Sequence, residues 1–166
     1  MLCELNDYCA YSYQESYQLY NANRTMLRPH SMATNLAVSL GATVIMNSVF
    51  MASTGDLVAE LAIDGNSNID FASCAASALS TNPWLRVDLK KEYFVSTVQA
   101  VLYPGKHESV YVVVGNDLAN NGNDNHNCGK APDATCNSPV WGRYINLQRK
   151  VKNHFIQVCE VTFNYG

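Results

Sequence analysis

From residue 35 onward the chain runs as short apolar stretches divided by small polar clusters. LAVSL, ATVIMNSVF, VAELAI, WLRVDL, YFVSTVQAVLY, SVYVVVG, GRYINLQ and HFIQVCEVTF are rich in Val, Ile, Tyr and Phe, and Gly, Pro, Asn and Asp punctuate them. That is the composition and spacing of strands and turns. The period is clearest where Leu85, Val87 and Leu89 alternate with Trp84, Arg86 and Asp88, which sends one set to each face of a strand. Arg86 and Asp88, two residues apart on one face, can neutralise each other or pair with neighbours. No long segment holds a helical period. Successive strands without intervening helices predict an all-β antiparallel sandwich or jelly roll.

The turns carry their own signals. Asp64-Gly65-Asn66 offers side chains that cap local backbone and a glycine that accepts positive φ. Asn120 to Asn127, NNGNDNHN, is a polar loop with an Asn-Gly turn, and Cys128 to Cys136 after it predicts a stapled excursion. Residues 1–34 read as an extension ahead of a domain spanning 35–166. Tyr8, Tyr11, Tyr13, Tyr17 and Tyr20 crowd that extension, giving it an aromatic face able to dock on the domain, the favoured reading, or on a partner. Asn23-Arg24-Thr25 is a glycosylation sequon at Asn23, a pattern common by chance.

Composition narrows the class. With 48% hydrophobic and 15% charged residues, the chain can build a core and is too weakly charged to stay disordered. A net charge of −3 gives no basic footprint, so neither nucleic acid nor an anionic membrane surface is expected as a partner. No apolar run is long enough to span a bilayer. Six cysteines outside CxxC spacing favour disulfides over a zinc site, and His30, His107, His126 and His154 show no metal-ligand spacing. Fifteen pairings are open in principle. Cys3 with Cys9 and Cys128 with Cys136 would each close a short local loop, which leaves Cys74 and Cys159 to tie distant parts of the chain. An oxidising, secreted or cell-surface setting is therefore expected. With no GxSxG motif and no cysteine left for a nucleophile, catalysis is not expected.

The series NLAVS, AIDGN, SC, NPWLRVDL, YFVSTV, VGNDLANNG, C…C, GRYINL and CEV, in that order, resembles the F-type lectins (fucolectins), a branch of the discoidin-like, galactose-binding-like proteins. The resemblance covers residues 35–166. It implies an eight-stranded antiparallel jelly-roll β-sandwich stapled by Cys74–Cys159 and Cys128–Cys136. It also implies Ca²⁺ held by the carbonyls of Leu61, Asn66 and Cys159 with Asp64, Ser73 and Glu160. These are oxygen donors of the kind the ion takes six to eight of.

At the sugar site the sequence departs from the pattern. F-type lectins grip fucose with a His shortly after the first cysteine, an Arg ending the next strand and a second basic residue in the following loop. Alignment on Cys74 and NPWLRVDL places Ala76 and Tyr103 at the first two positions, and Lys106 stands at the third in a short Pro104-Gly105-Lys106-His107 loop. The candidate carbohydrate-binding residues are then Tyr103, Lys106 and His107, with 76–79 and the NNGNDNHN loop beside them. Two function classes follow. One is an extracellular lectin-like module, binding a glycan or glycoprotein other than through fucose; the other is a jelly roll without sugar binding that serves adhesion or assembly with a protein partner.

Overall fold

The computed structural model describes residues 37, 40–53, 55–105 and 109–165, all within the unit Thr34–Gly166. Cys3, Cys9, Asn23, Lys106 and His107, and with them the 1–34 extension, lie outside the described residues.

Nine strands are found among these residues: β1 Thr43–Met46, β2 Phe50–Ala52, β3 Gly55–Leu57, β4 Ala75–Ala76, β5 Trp84–Leu102, β6 Val110–Gly115, β7 His126–Lys130, β8 Asp133–Arg149 and β9 Gln157–Tyr165. All the pairings are antiparallel. The main sheet runs β4-β9-β5-β8-β6-β7, with β1 also on β5, and β2 with β3 forms a separate hairpin. β5 organises this arrangement. Its first half pairs with β1 and β8 and its second half with β8 and β9. The register shift between Asp88 and Tyr93 contains Lys90 at φ 68°, so the strand bends there and serves both layers of the sandwich.

The expected alternation holds on β5. Leu85, Val87 and Leu89 are buried with Val112, Val114, Ile145, Leu147 and Val158 in one core, each such side chain contributing about 1.5–3 kcal/mol by leaving water. Trp84, Arg86 and Asp88 stand half-buried on the outer face. Among the described residues two disulfides staple the fold: Cys74–Cys159 joins the residue before β4 to β9, and Cys128–Cys136 joins β7 to β8.

Two expectations need correction, and a third resolves to one of its alternatives. VAELAI is not a strand: Ala59–Ala62 forms a 3-10 turn, because its buried positions are Ala59, Ala62 and Ile63, a three-to-four-residue spacing rather than two. The Cys128–Cys136 segment is no excursion, since its cysteines sit in β7 and β8, and β6 pairs with both strands. Of the two alternatives for Arg86 and Asp88, pairing with neighbours is the one found. Asp88 binds Arg143 and Lys90, while Arg86 lies 5.4 Å from the Trp84 ring and 5.5 Å from the Tyr144 ring.

Candidate functional site

The rim to which the sequence assigns sugar binding begins where β5 ends. Tyr103 follows Leu102 and donates its backbone N–H to Gln157 O at 3.4 Å. Its ring meets Phe71 edge-on at 5.9 Å, and Phe71 meets Phe50 edge-on at 6.1 Å. Edge-to-face pairs at such distances are the arrangement that aromatic quadrupoles favour. Phe50 from β2, Phe71 from a 3-10 turn and Tyr103 thus form an aromatic row from three separate segments. Of these three the sequence reading named Tyr103 alone. Phe50 closes a strand-like run and Phe71 stands beside Cys74, and only the tertiary fold aligns them.

Ala76 occupies β4, pairs with Gln157 and is buried, so it presents nothing polar to the rim. Ser77 beside it is spent internally: its hydroxyl donates to Ala78 O and accepts the Ile156 N–H. Leu79 is exposed. The NNGNDNHN loop is not a neighbour of Tyr103. The chain enters β6 at Val110 on the Tyr103 side and leaves at Gly115, so the loop lies a strand length away, roughly 17 Å at 3.3 Å per residue. There it folds over the outer sheet face, where the Arg86 guanidinium and the Asn146 amide both donate to Asn121 O.

Of the six metal-ligand candidates, Leu61, Ser73, Cys159 and Glu160 fall on segments that the fold joins, while Asp64 and Asn66 lie on the exposed loop after the first of them. Leu61 lies in the 3-10 turn Ala59–Ala62, which packs on both β4 and β9. Asp64 Oδ1 accepts the Asn66 N–H at 2.8 Å, Asn66 Oδ1 the Asn68 N–H, and Asn68 Oδ1 the Asp70 N–H. This succession of Asx turns fixes the backbone of the loop with its own side chains. Ser73 ends a second 3-10 turn, donating its N–H to Asp70 O. The adjoining Cys74 is bonded to Cys159, whose successor in β9 is Glu160.

The donor chemistry suits a hard cation. Glu160 is only 4% exposed, and a carboxylate so buried keeps its charge only against compensation. No group of three or more His, Cys, Asp or Glu side chains capable of holding a metal gathers among the described residues. A cation here would be held by two carboxylates and a hydroxyl, completed by backbone carbonyls, which is Ca²⁺ rather than Zn²⁺ chemistry.

The fold is that of a galactose-binding-like antiparallel β-sandwich. A family model described as NedA-like, galactose-binding domain matches residues 61–147. Fucolectin-5 of Anguilla japonica is 33% identical, with 69% of each chain covered. The chain belongs to the F-type lectin (fucolectin) family. The crystal structure of an F-lectin from Morone saxatilis serum superposes with a TM-score of 0.70 at 26% identity, covering 81% of this chain and 48% of that one, so the chain spans about half of the bass lectin. The lectin domain of lectinolysin, solved with Lewis b antigen, has a TM-score of 0.61 at 23% identity, over 76% of this chain and 94% of that one, and supports the fold alone. These relatives are lectins and binding domains, not enzymes. Among the described residues no helix is long and apolar enough to cross a membrane.

Proposed function

We propose that the chain is an extracellular, calcium-stabilised carbohydrate-binding module whose site accepts a glycan other than fucose. The observation that carries the reading is the Phe50–Phe71–Tyr103 row, lying where the family's charged anchors are replaced by Tyr103 and a buried Ala76. Each charge-assisted bond lost with those anchors removes roughly 1.5–3 kcal/mol from a fucose complex. Tyr103 offers a ring to stack on a sugar's apolar face, while Lys106 and His107 supply donors from the following loop. Two internal disulfides suit an oxidising compartment.

Calcium belongs to the same reading as a structural ion. Asp64 and Glu160 would supply the charge, Ser73 a hydroxyl, and Leu61, Asn66 and Cys159 carbonyls; bound there, the ion neutralises two carboxylates.

A glycan array with calcium present tests the function. It is expected to give hits that exclude terminal L-fucose, and Tyr103→Ala should lower affinity for the best hit by about tenfold or more through the lost stacking. Saturable binding of free L-fucose at the Tyr103 rim overturns the altered specificity. A blank array, together with mass that rises with protein concentration, replaces the lectin reading with the assembly module.

A further inference from the structure

A second recognition surface lies on the outer sheet face, away from Tyr103. Thr43 and Ile45 of β1, Arg86 and Asp88 of β5, Tyr144 of β8 and Leu118 of the loop after β6 line a half-open cavity of about 160 Å³. That is close to the volume that admits one six-membered ring. Ile45 and Leu118 are half-exposed at its rim.

The charged residues of its lining are one cation, Arg86, and one carboxylate, Asp88. Asp88 is held by Arg143 through Nε and Nη2 at 2.7 and 2.9 Å, and by Lys90 Nζ at 3.3 Å. Lys90 Nζ also donates to Thr43 Oγ1 at 2.6 Å. Arg143 and Lys90, which stand outside the lining, thus satisfy Asp88, and Arg86 is left as the lining charge without a carboxylate partner among the described residues. The adjoining loop carboxylate, Asp117, accepts the Ala119 N–H.

Arg86 is preorganised. Trp84 and Tyr144 lie within cation–π range of its guanidinium carbon, and one terminal amino group donates to Asn121 O at 3.0 Å. Among the described residues that is its one hydrogen bond, so the Nε/Nη2 edge keeps its donors. That same edge of Arg143 holds Asp88 two-pronged across the strands, and a guanidinium edge of this kind matches a carboxylate bidentately. The loop that supplies Leu118 is fixed too, because Asn121 O accepts from both Arg86 and Asn146. Asn120 and Asn121 turn it with φ of 47° and 56°, backbone angles that Asn tolerates better than most residues.

We propose that this cavity is a second ligand site, taking an acidic monosaccharide unit, a pyranose that carries a carboxylate. The carboxylate lies on the Arg86 Nε/Nη2 edge, the ring packs against Tyr144, Ile45 and Leu118, and Thr43 and the Tyr144 hydroxyl face the sugar hydroxyls. The site is independent of the Tyr103 rim.

The test is a ¹⁵N NMR titration of the full chain with D-glucuronate, with D-glucose lacking the charge and acetate and sulfate lacking the ring. Glucuronate should give saturable shifts at the Arg86 Nε–H and the Leu118 and Tyr144 amides, and the three comparators should not. Arg86→Lys keeps the charge and loses the fork, and should weaken glucuronate at least about tenfold. Because Arg86 also holds Asn121, Ile45→Trp serves as a second variant: it fills the cavity from the exposed side of β1, and should abolish the shifts with an unchanged melt. Tyr103→Ala should leave glucuronate binding intact. No saturable shift at tens of millimolar glucuronate, equal shifts with glucose, equal shifts with acetate or sulfate (a bare ion contact), or undiminished binding by both variants would each overturn the proposal.

Discussion

At the scale of single residues, Asp88 shows how the outer face is wired. The Arg143 hydrogen bond, opposed by partial burial and helped by Lys90, holds its carboxyl down at about 2, and Asp88 in turn raises the Arg143 guanidinium. A free aspartate titrates near ~3.9. Because the folded value is the lower one, the stability Asp88 contributes is fully present above about pH 4 and disappears as pH falls through about 2. Asp88→Asn should therefore lose on the order of 1–3 kcal/mol at neutral pH and show a shallower decline between pH 4 and 2 than the parent. Urea midpoints measured across that range check it, and parallel declines would remove Asp88 from the account. The alternation on β5 made the outward placement of Arg86 and Asp88 legible from sequence. Their partners were not legible, since Arg143 arrives from β8, 55 positions along the chain, and only the strand pairing of Asp88 with Tyr144 brings it near. Phe50 and Phe71 were missed for the same reason: an aromatic row assembled from three segments leaves no periodic trace.

At the scale of elements, β8 is threaded closely past β6. A Cβ added at Gly142 would stand 2.8 Å from Gly115 N, 2.9 Å from Gly115 Cα and 2.9 Å from a Val114 methyl, and two of those three atoms are backbone, which cannot swing aside. Gly142→Ala should cost about 1–3 kcal/mol by overpacking, read as a lower denaturation midpoint with an unchanged m-value; a neutral substitution would mean that the strands separate freely. Elements whose pattern was strictly alternating were legible, and those that share residues with a turn were not. The two segments WLRVDL and YFVSTVQAVLY are one strand bent at Lys90, which the polar Lys90-Lys91-Glu92 interruption disguised as a turn. VAELAI carried strand-forming residues, yet its buried spacing of three turned it into the 3-10 piece that carries Leu61.

At the scale of the whole molecule, two 3-10 turns far from β9 in sequence converge on it. The Ala59–Ala62 turn packs on it, the Cys74–Cys159 bridge ties the second 3-10 turn to it across 85 positions, and β9 itself carries the buried carboxylate of Glu160 there. The disulfide alone is worth about 4–5 kcal/mol in the loop-closure account, so it holds the segments together whether or not an ion is bound. The proposed calcium adds a separate increment, because a ligand that binds only the folded state stabilises by mass action, about 2.7 kcal/mol at a hundredfold excess over Kd. For a domain of this size that corresponds to roughly 10 °C in melting temperature. The oxidised, ion-free protein should therefore melt roughly 10 °C below the calcium-saturated form. Glu160→Gln removes one charged ligand while keeping shape, and should lose most of the calcium response with both disulfides still formed. Magnesium should substitute poorly, since it resists exchanging its water shell for a set of carbonyls. Scanning calorimetry with calcium, magnesium or chelator decides the matter: equal melts in calcium and in chelator, for protein stripped of ion beforehand, would leave the disulfide as the sole tie between these segments and would remove calcium from the proposed function.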